Sequence, residues 1–159
     1  MNNLEFISPE IFISLSIMFL LILGVFKKNS SSLIHNLSIG LLLITGILIL
    51  NNPFDSAVTL FSNSYVIDNL SSLMKILTIL GGALVLSIST KYLKISQIFL
   101  IEYPILILCS ILGMMVMISS NDLMVFYIGL ELQSLALYVL ASFNRDQLKS
   151  SESGLKYFV

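Results

Sequence analysis

The stretch "FYIGLELQSLALYVL" (Phe126–Leu140) is apolar for fifteen residues except for one carboxylate, Glu131, two positions that can hydrogen-bond, Gln133 and Ser134, and two tyrosines. In a soluble core helix such a glutamate needs a neighbouring partner. In a bilayer, an ionisable group at mid-depth is costly and points to function by default. The surrounding solvent therefore decides how the stretch is read.

Composition decides the solvent. Of 159 residues 57% are hydrophobic and 11% charged, against roughly 25% charged in an average soluble domain. Apolar runs follow one another with short polar breaks, and several approach the roughly 20 residues that a spanning helix requires. The fold class is an all-α integral membrane protein. A net charge of −1 argues against a nucleic-acid partner. The single cysteine, Cys109, lies inside an apolar run, which excludes a disulfide within the chain and a cysteine-built zinc site.

The N-terminus "MNNLEFISPE" lacks a basic region, a small-residue cleavage site and an Arg-rich amphipathic pattern, so neither a signal peptide nor a transit peptide is expected. Helices are expected over about 9–26, 33–50, 68–90, 98–118 and 123–143, with a sixth beginning at 151–159. The first opens at "SPE", where Ser8 can cap, Pro9 suits the first turn and Glu10 favours the positive helix end. Residues 53–67 mix turn formers with apolar residues and read as a partly buried loop or strand.

Basic residues orient the spans. Lys27 and Lys28, Lys91 and Lys94, and Arg145 and Lys149 follow spans one, three and five, whereas the loops after spans two and four hold Asp55 and Asp122 and no Lys or Arg. The N-terminus is thus expected outside, with the basic loops facing the cytoplasm or matrix. Residues 151–159 supply only about 13 Å of helix against a hydrocarbon core of about 30 Å. Further protein is expected to continue this helix, either the rest of the chain or a second polypeptide, since unpaired carbonyls are not tolerated in lipid.

Glu131 is the foremost candidate. Helical spacing puts Tyr127, Ser134, Tyr138 and Ser142 on its face, a polar stripe suited to a bundle interior or a file of water. The bland alternative is a glutamate that bonds a neighbouring helix. Lys156 is the second candidate, about 9 Å into helix six, with snorkelling to the interface as the competing reading. The short connection makes helices five and six antiparallel neighbours, and a depth difference of about 8 Å leaves Glu131 and Lys156 to be bridged by water or a third residue. Lys75, about 10 Å inside span three, lies on one face with Asp68 two turns earlier and is expected to be satisfied by intermediate water or by snorkelling. His35 reads as a solvated interfacial histidine and Glu102 as an interfacial charge. The runs "MMVM" (Met114–Met117) and "LGGAL" (Leu80–Leu84) read as packing. The sequence holds no Gly-rich phosphate loop, no nucleophile paired with a histidine base and no histidine pair for haem or metal. What remains is equipment for moving protons.

The segment Ser119–Val159, with "LELQSLALYVLASF" (Leu130–Phe143) and "SSESGLKYFV" (Ser150–Val159) as its specific motifs, resembles the antiporter-like membrane subunits of respiratory complex I. That family includes NADH dehydrogenase subunit 2 of mitochondria and subunit N of bacteria. Asp68–Leu84 is similar but less specific, and the first two spans agree in hydropathy. The resemblance implies the N-terminal part of a bundle of about fourteen helices built from two inverted repeats. It implies proton translocation within an NADH:ubiquinone reductase, with no redox chemistry on this chain: NADH, FMN, iron–sulfur clusters and quinone would belong to other subunits. Glu131 matches the family's helix-five glutamate and Lys156 its helix-six lysine, the residues expected to carry proton transfer. Partners implied are other complex I membrane subunits, the continuation of the subunit and the lipid bilayer. The alternative is the related subunit of a multisubunit cation/proton antiporter, and a third reading is a membrane scaffold, against which the Glu131 stripe argues. "ELQSLALYVLASF" looks alphaproteobacterial or mitochondrial, and the mitochondrial inner membrane is the expected location, with the bacterial plasma membrane as the alternative.

Overall fold

The computed structural model describes residues 6–26, 31–51, 58–95, 101–144 and 147–158. Among the described residues there are six helices: α1 (Ser8–Phe26), α2 (Ser31–Leu50), α3 (Asn69–Ile95), α4 (Glu102–Ile118), α5 (Leu123–Ala141) and α6 (Leu148–Phe158). Between α2 and α3 a short hairpin pairs β1 (Val58–Leu60) with β2 (Tyr65–Ile67). Helices α1, α2, α3 and α5 are long and apolar enough to cross a membrane, and α4 is a shorter apolar helix of 17 residues. The 98–100 start expected for span four lies outside the described residues. So do Pro53, Phe54, Asp55, Lys27, Lys28 and Arg145.

Apolar faces explain the assembly. Ile13, Ile17 and Leu20 of α1, Ile34, Leu42 and Ile49 of α2, Ile79 and Leu86 of α3, and Leu108, Ile111 and Met115 of α4 share one buried cluster. The opposite faces stay uncovered: Leu15, Val25, Ile47, Leu84 and Ile88 are all at least 63% exposed. An apolar belt of that extent suits lipid rather than water.

The helix ends differ in places from the sequence expectation. Helix α3 continues to Ile95 rather than 90, because lysine is a good helix former and need not end a helix where it marks an interface. Helix α5 stops at Ala141 rather than 143, with Ser142 as its C-cap. Helix α6 starts at Leu148, three residues before the expected 151.

Two close approaches set the helix spacing. Where α4 crosses α5, a Cβ on Gly113 would lie 2.7 Å from the Gln133 nitrogen, and one on Gly129 would lie 2.8 Å from the Met117 nitrogen. The two backbones touch, and only glycine fits at either position. In "LGGAL" the packing role falls to Gly82, whose added Cβ would meet Ile111, while Gly81 faces open space.

The hairpin closes one end of the bundle. Its loop turns through three residues of positive φ, Phe61, Ser62 and Asn63, a conformation uncommon outside glycine. The loop is tied to the α4–α5 connection: Asn121 Nδ2 donates to the Asn63 carbonyl at 2.8 Å, and the Val66 N–H donates to the Ser119 carbonyl at 2.8 Å. Leu60, Tyr65 and Ile67 pack on Phe6 and Ile7 ahead of α1 and on Val125 of α5.

Candidate functional site

Helix α5 starts at an Asp122 N-cap, whose side chain accepts from the Met124 N–H, so Glu131 stands about 12 Å from that end. Glu131 is half-buried, and among the described residues it has no ion-pair partner. Tyr127, one turn before it, interacts with its carboxylate. The serine hydroxyls of the stripe are spent locally. Ser134 Oγ donates to the Glu131 carbonyl at 3.1 Å and Ser142 Oγ to the Tyr138 carbonyl at 3.1 Å. Tyr138 is met edge-on by Tyr157 and Phe158 of α6, with ring centroids 5.1 and 5.5 Å away. The carboxylate thus keeps acceptor capacity for an outside group.

Lys156 is not brought to Glu131. Its ammonium pairs with Glu152 one turn back, at 2.6 Å, and both side chains are exposed, 75% and 61%. An exposed pair of this kind contributes little to stability. The motif "SSESG" shows its physical purpose here: Ser150 and Ser153 donate to the Ala141 carbonyl at 3.3 and 3.0 Å, closing the end of α5. Gly154 is buried against Ser142, leaving no room for a Cβ. Helices α5 and α6 are antiparallel neighbours held by backbone capping.

A second ionisable cluster sits beneath the hairpin. Lys75 Nζ of α3 lies 2.6 Å from Glu10 Oε1 of α1, with side-chain exposures of 3% and 8%. The Tyr65 hydroxyl of β2 donates to the same oxygen at 2.8 Å. Lys75 Nζ also donates to the Tyr65 hydroxyl at 3.3 Å and stands 5.2 Å from the centre of its ring. Burial, and then the Glu10 charge, push the Tyr65 phenol well above its ordinary range. Glu10 Oε2 is buried without a hydrogen-bond partner.

This corrects two expectations. Lys75 is satisfied by Glu10 and Tyr65 rather than by snorkelling, because it is buried beneath the hairpin. Asp68 caps α3: it accepts from the Ser71 N–H at 2.7 Å, and Ser71 Oγ accepts from the Asp68 N–H at 2.9 Å. Those bonds to Ser71 hold the Asp68 carboxyl below its ordinary range. Glu10 had been read only as a helix-dipole residue; a partner 65 positions away leaves no trace in local spacing. His35 is likewise not solvated. It is 1% exposed, and its Nε2 lies 2.8 Å from the Leu86 carbonyl of α3, with Nε2 as donor since a carbonyl can only accept. Glu102 is exposed at the start of α4.

The fold is that of a membrane helix bundle. In architecture it is similar to a chain of respiratory complex I from Thermus thermophilus, solved with bound aureothin, at a TM-score of 0.78 and 21% identity over 94% of this chain and 32% of that one. Residues 120–159 match the family described as NADH:quinone oxidoreductase/Mrp antiporter, TM. Over all 159 residues the chain is 82% identical to NADH-quinone oxidoreductase subunit N of Pelagibacter ubique, covering 100% of this chain and 34% of the relative. It is 48% identical to subunit N of Bartonella bacilliformis over 158 residues, 99% of this chain and 32% of that one. The resemblance seen in Ser119–Val159 therefore holds along the whole chain, which matches the N-terminal part of the antiporter-like subunit N and spans about a third of the length of these curated relatives.

Proposed function

We propose that the chain is the N-terminal part of a proton-translocating membrane-arm subunit of NADH:quinone oxidoreductase, working beside other membrane subunits of that complex. The observation that carries this reading is the 82% identity to a subunit N without a gap in coverage of this chain, together with a carboxylate at mid-depth in α5. The redox groups (NADH, FMN, iron–sulfur clusters and quinone) belong on this reading to other subunits. The matching family's description also names the Mrp antiporter, while relatives that match along 95% or more of this chain carry the oxidoreductase name. Those relatives are bacterial, which favours the bacterial plasma membrane; nothing among them supports the mitochondrial inner membrane expected first.

Glu131 is the proton carrier in this reading. Burial favours the neutral form of a carboxyl group, and an approaching ammonium favours the charged form. A carboxylate alternating between those influences loads and releases a proton, as a relay requires. Lys156 reaches it only through water or an intervening group, because the two residues differ in depth by about 8 Å. The N-terminus lies on the outer side, by the distribution of Lys and Arg.

The test is proton flux in vesicles containing the whole complex with Glu131→Gln. The variant keeps shape and hydrogen bonding but cannot ionise, and it is expected to assemble and to lose most of its flux. Normal flux from an assembled Glu131→Gln complex would reduce Glu131 to a structural hydrogen-bonding group. Lys156→Ala is expected to lower flux without lowering stability, because its pairing with Glu152 is solvent-exposed.

A further inference from the structure

The cluster of Glu10, Lys75 and Tyr65 has no part in the relay just described, yet stability does not account for it. Replacing a buried ion pair by well-packed apolar side chains is often neutral or stabilising, and an ionisable pair within membrane helices is a functional candidate by default. Here the pair is also incompletely satisfied, since Glu10 Oε2 has no partner.

A cavity of about 390 Å³ lies next to it, its wall mixed: Asp68, Ser71, Ser119, Ser120 and Asn121 supply polar groups, and apolar side chains such as Leu70 and Ile118 complete it. That volume holds several waters at about 30 Å³ each. Ser119 belongs to the cavity wall and is 1% exposed, and its hydroxyl, near that of Tyr65, is buried without a hydrogen-bond partner. One unsatisfied serine thus separates a space large enough for water from the ion pair. Among the described residues, the charged and titratable groups facing Glu10 are Lys75 from α3 and Tyr65 from the hairpin, with Asp68 feeling the Lys75 charge from the head of α3.

We infer that Glu10, Lys75 and Tyr65 form a second proton-exchange site, connected through Ser119 to water on the hairpin side of the membrane. The step is a transfer within the pair. A Lys75 Nζ–H bond breaks, its electron pair stays on nitrogen, and an O–H bond forms on Glu10 Oε1 at 2.6 Å. The charged pair becomes a neutral one with no change in total charge. Glu10 then gives its proton to water, Lys75 takes one from water, and the ion pair is restored. Tyr65 stays protonated and bridges the two groups. This inference rests on the proton-translocating reading above and extends it to the hairpin end.

The test uses the full-length subunit in the assembled complex and compares Glu10→Leu/Lys75→Met, Ser119→Val and Glu131→Gln. The apolar double variant and Ser119→Val are both expected to lower proton flux about tenfold or more. Full flux in an assembled double variant, with flux lost in Glu131→Gln, would overturn the inference and leave the Glu131 reading standing. Full flux in Glu131→Gln would instead sink the Glu131 reading. The cluster itself is then read directly, by infrared difference spectroscopy of the working complex. A carboxyl C=O band that disappears in Glu10→Gln, and moves in Tyr65→Phe where the ion pair is intact, is the expected result. A spectrum unchanged by Tyr65→Phe and lacking any Glu10-dependent band overturns the inference even where the double variant fails to assemble.

Discussion

The ammonium of Lys75 and the carboxylate of Glu10 meet at 2.6 Å across 65 residues of chain, sealed under a hairpin whose Tyr65 bonds the same oxygen. This contact joins α1 to α3 at the end of the bundle where the hairpin, the head of α3 and the α4–α5 connection converge.

Removing one partner should be far worse than removing both. Lys75→Met leaves a carboxylate buried without its cation, which costs about 3–5 kcal/mol. Glu10→Leu/Lys75→Met should recover most of that loss. Thermal unfolding of the detergent-solubilised subunit, compared among wild type, Lys75→Met and the double variant, gives the answer; a double variant no more stable than Lys75→Met would contradict it.

The α4–α5 crossing makes a steric prediction. A methyl group at Gly129 or Gly113 would press on backbone atoms, which cannot rotate aside, so Gly129→Ala and Gly113→Ala should each cost about 1–3 kcal/mol or more by overpacking. Gly81→Ala, which meets nothing within 4 Å, is the control and should be tolerated. Protease resistance in detergent reads the difference.

The cap of α3 carries an acid-side pH dependence. The bonds from Ser71 hold the Asp68 carboxyl below its ordinary range, so its stabilisation is complete above the unfolded carboxylate range. It is lost as pH falls through the lower folded value. Asp68→Ala removes a cap worth about 1 kcal/mol and should flatten that acid limb of the stability profile. An unchanged acid limb would show that Asp68 does not carry it.

Topology can be read with two cysteines in the Cys109→Ser background. Substituted at Asp122, the thiol should react with an impermeant reagent from the outer side, and at Lys149 only from the inner side. The basis is the loop-by-loop Lys/Arg asymmetry. Both positions reacting from one side would refute the orientation.

Periodic and compositional features were legible without coordinates. Apolar run lengths predicted the spans, and the spacing of Tyr127, Ser134, Tyr138 and Ser142 identified the Glu131 face, because a helix maps sequence distance directly onto direction. The pairing of Glu10 with Lys75 was not legible. It depends on how a hairpin folds over two helices that are neighbours only in space. His35 was misplaced for a related reason: its partner is the Leu86 main-chain carbonyl, and any residue type offers one. Lys156 was recognised as a charge near a helix end, but its pairing with Glu152 is one of several rotamers open to a lysine on an exposed face.

The contact between Gly113 and Gly129 has a mechanical consequence for the residue two places further on. With main chain against main chain at Gly129, α5 has no side-chain cushion on which to roll or slide, so α4 and α5 must travel as one rigid beam. Glu131 is bolted to that beam at a fixed height and azimuth. If Glu131 relays protons as proposed, any switch in the side from which it is reached must come from what moves toward it, a column of water or a mobile cation, and the carboxylate would serve as a stationary terminal.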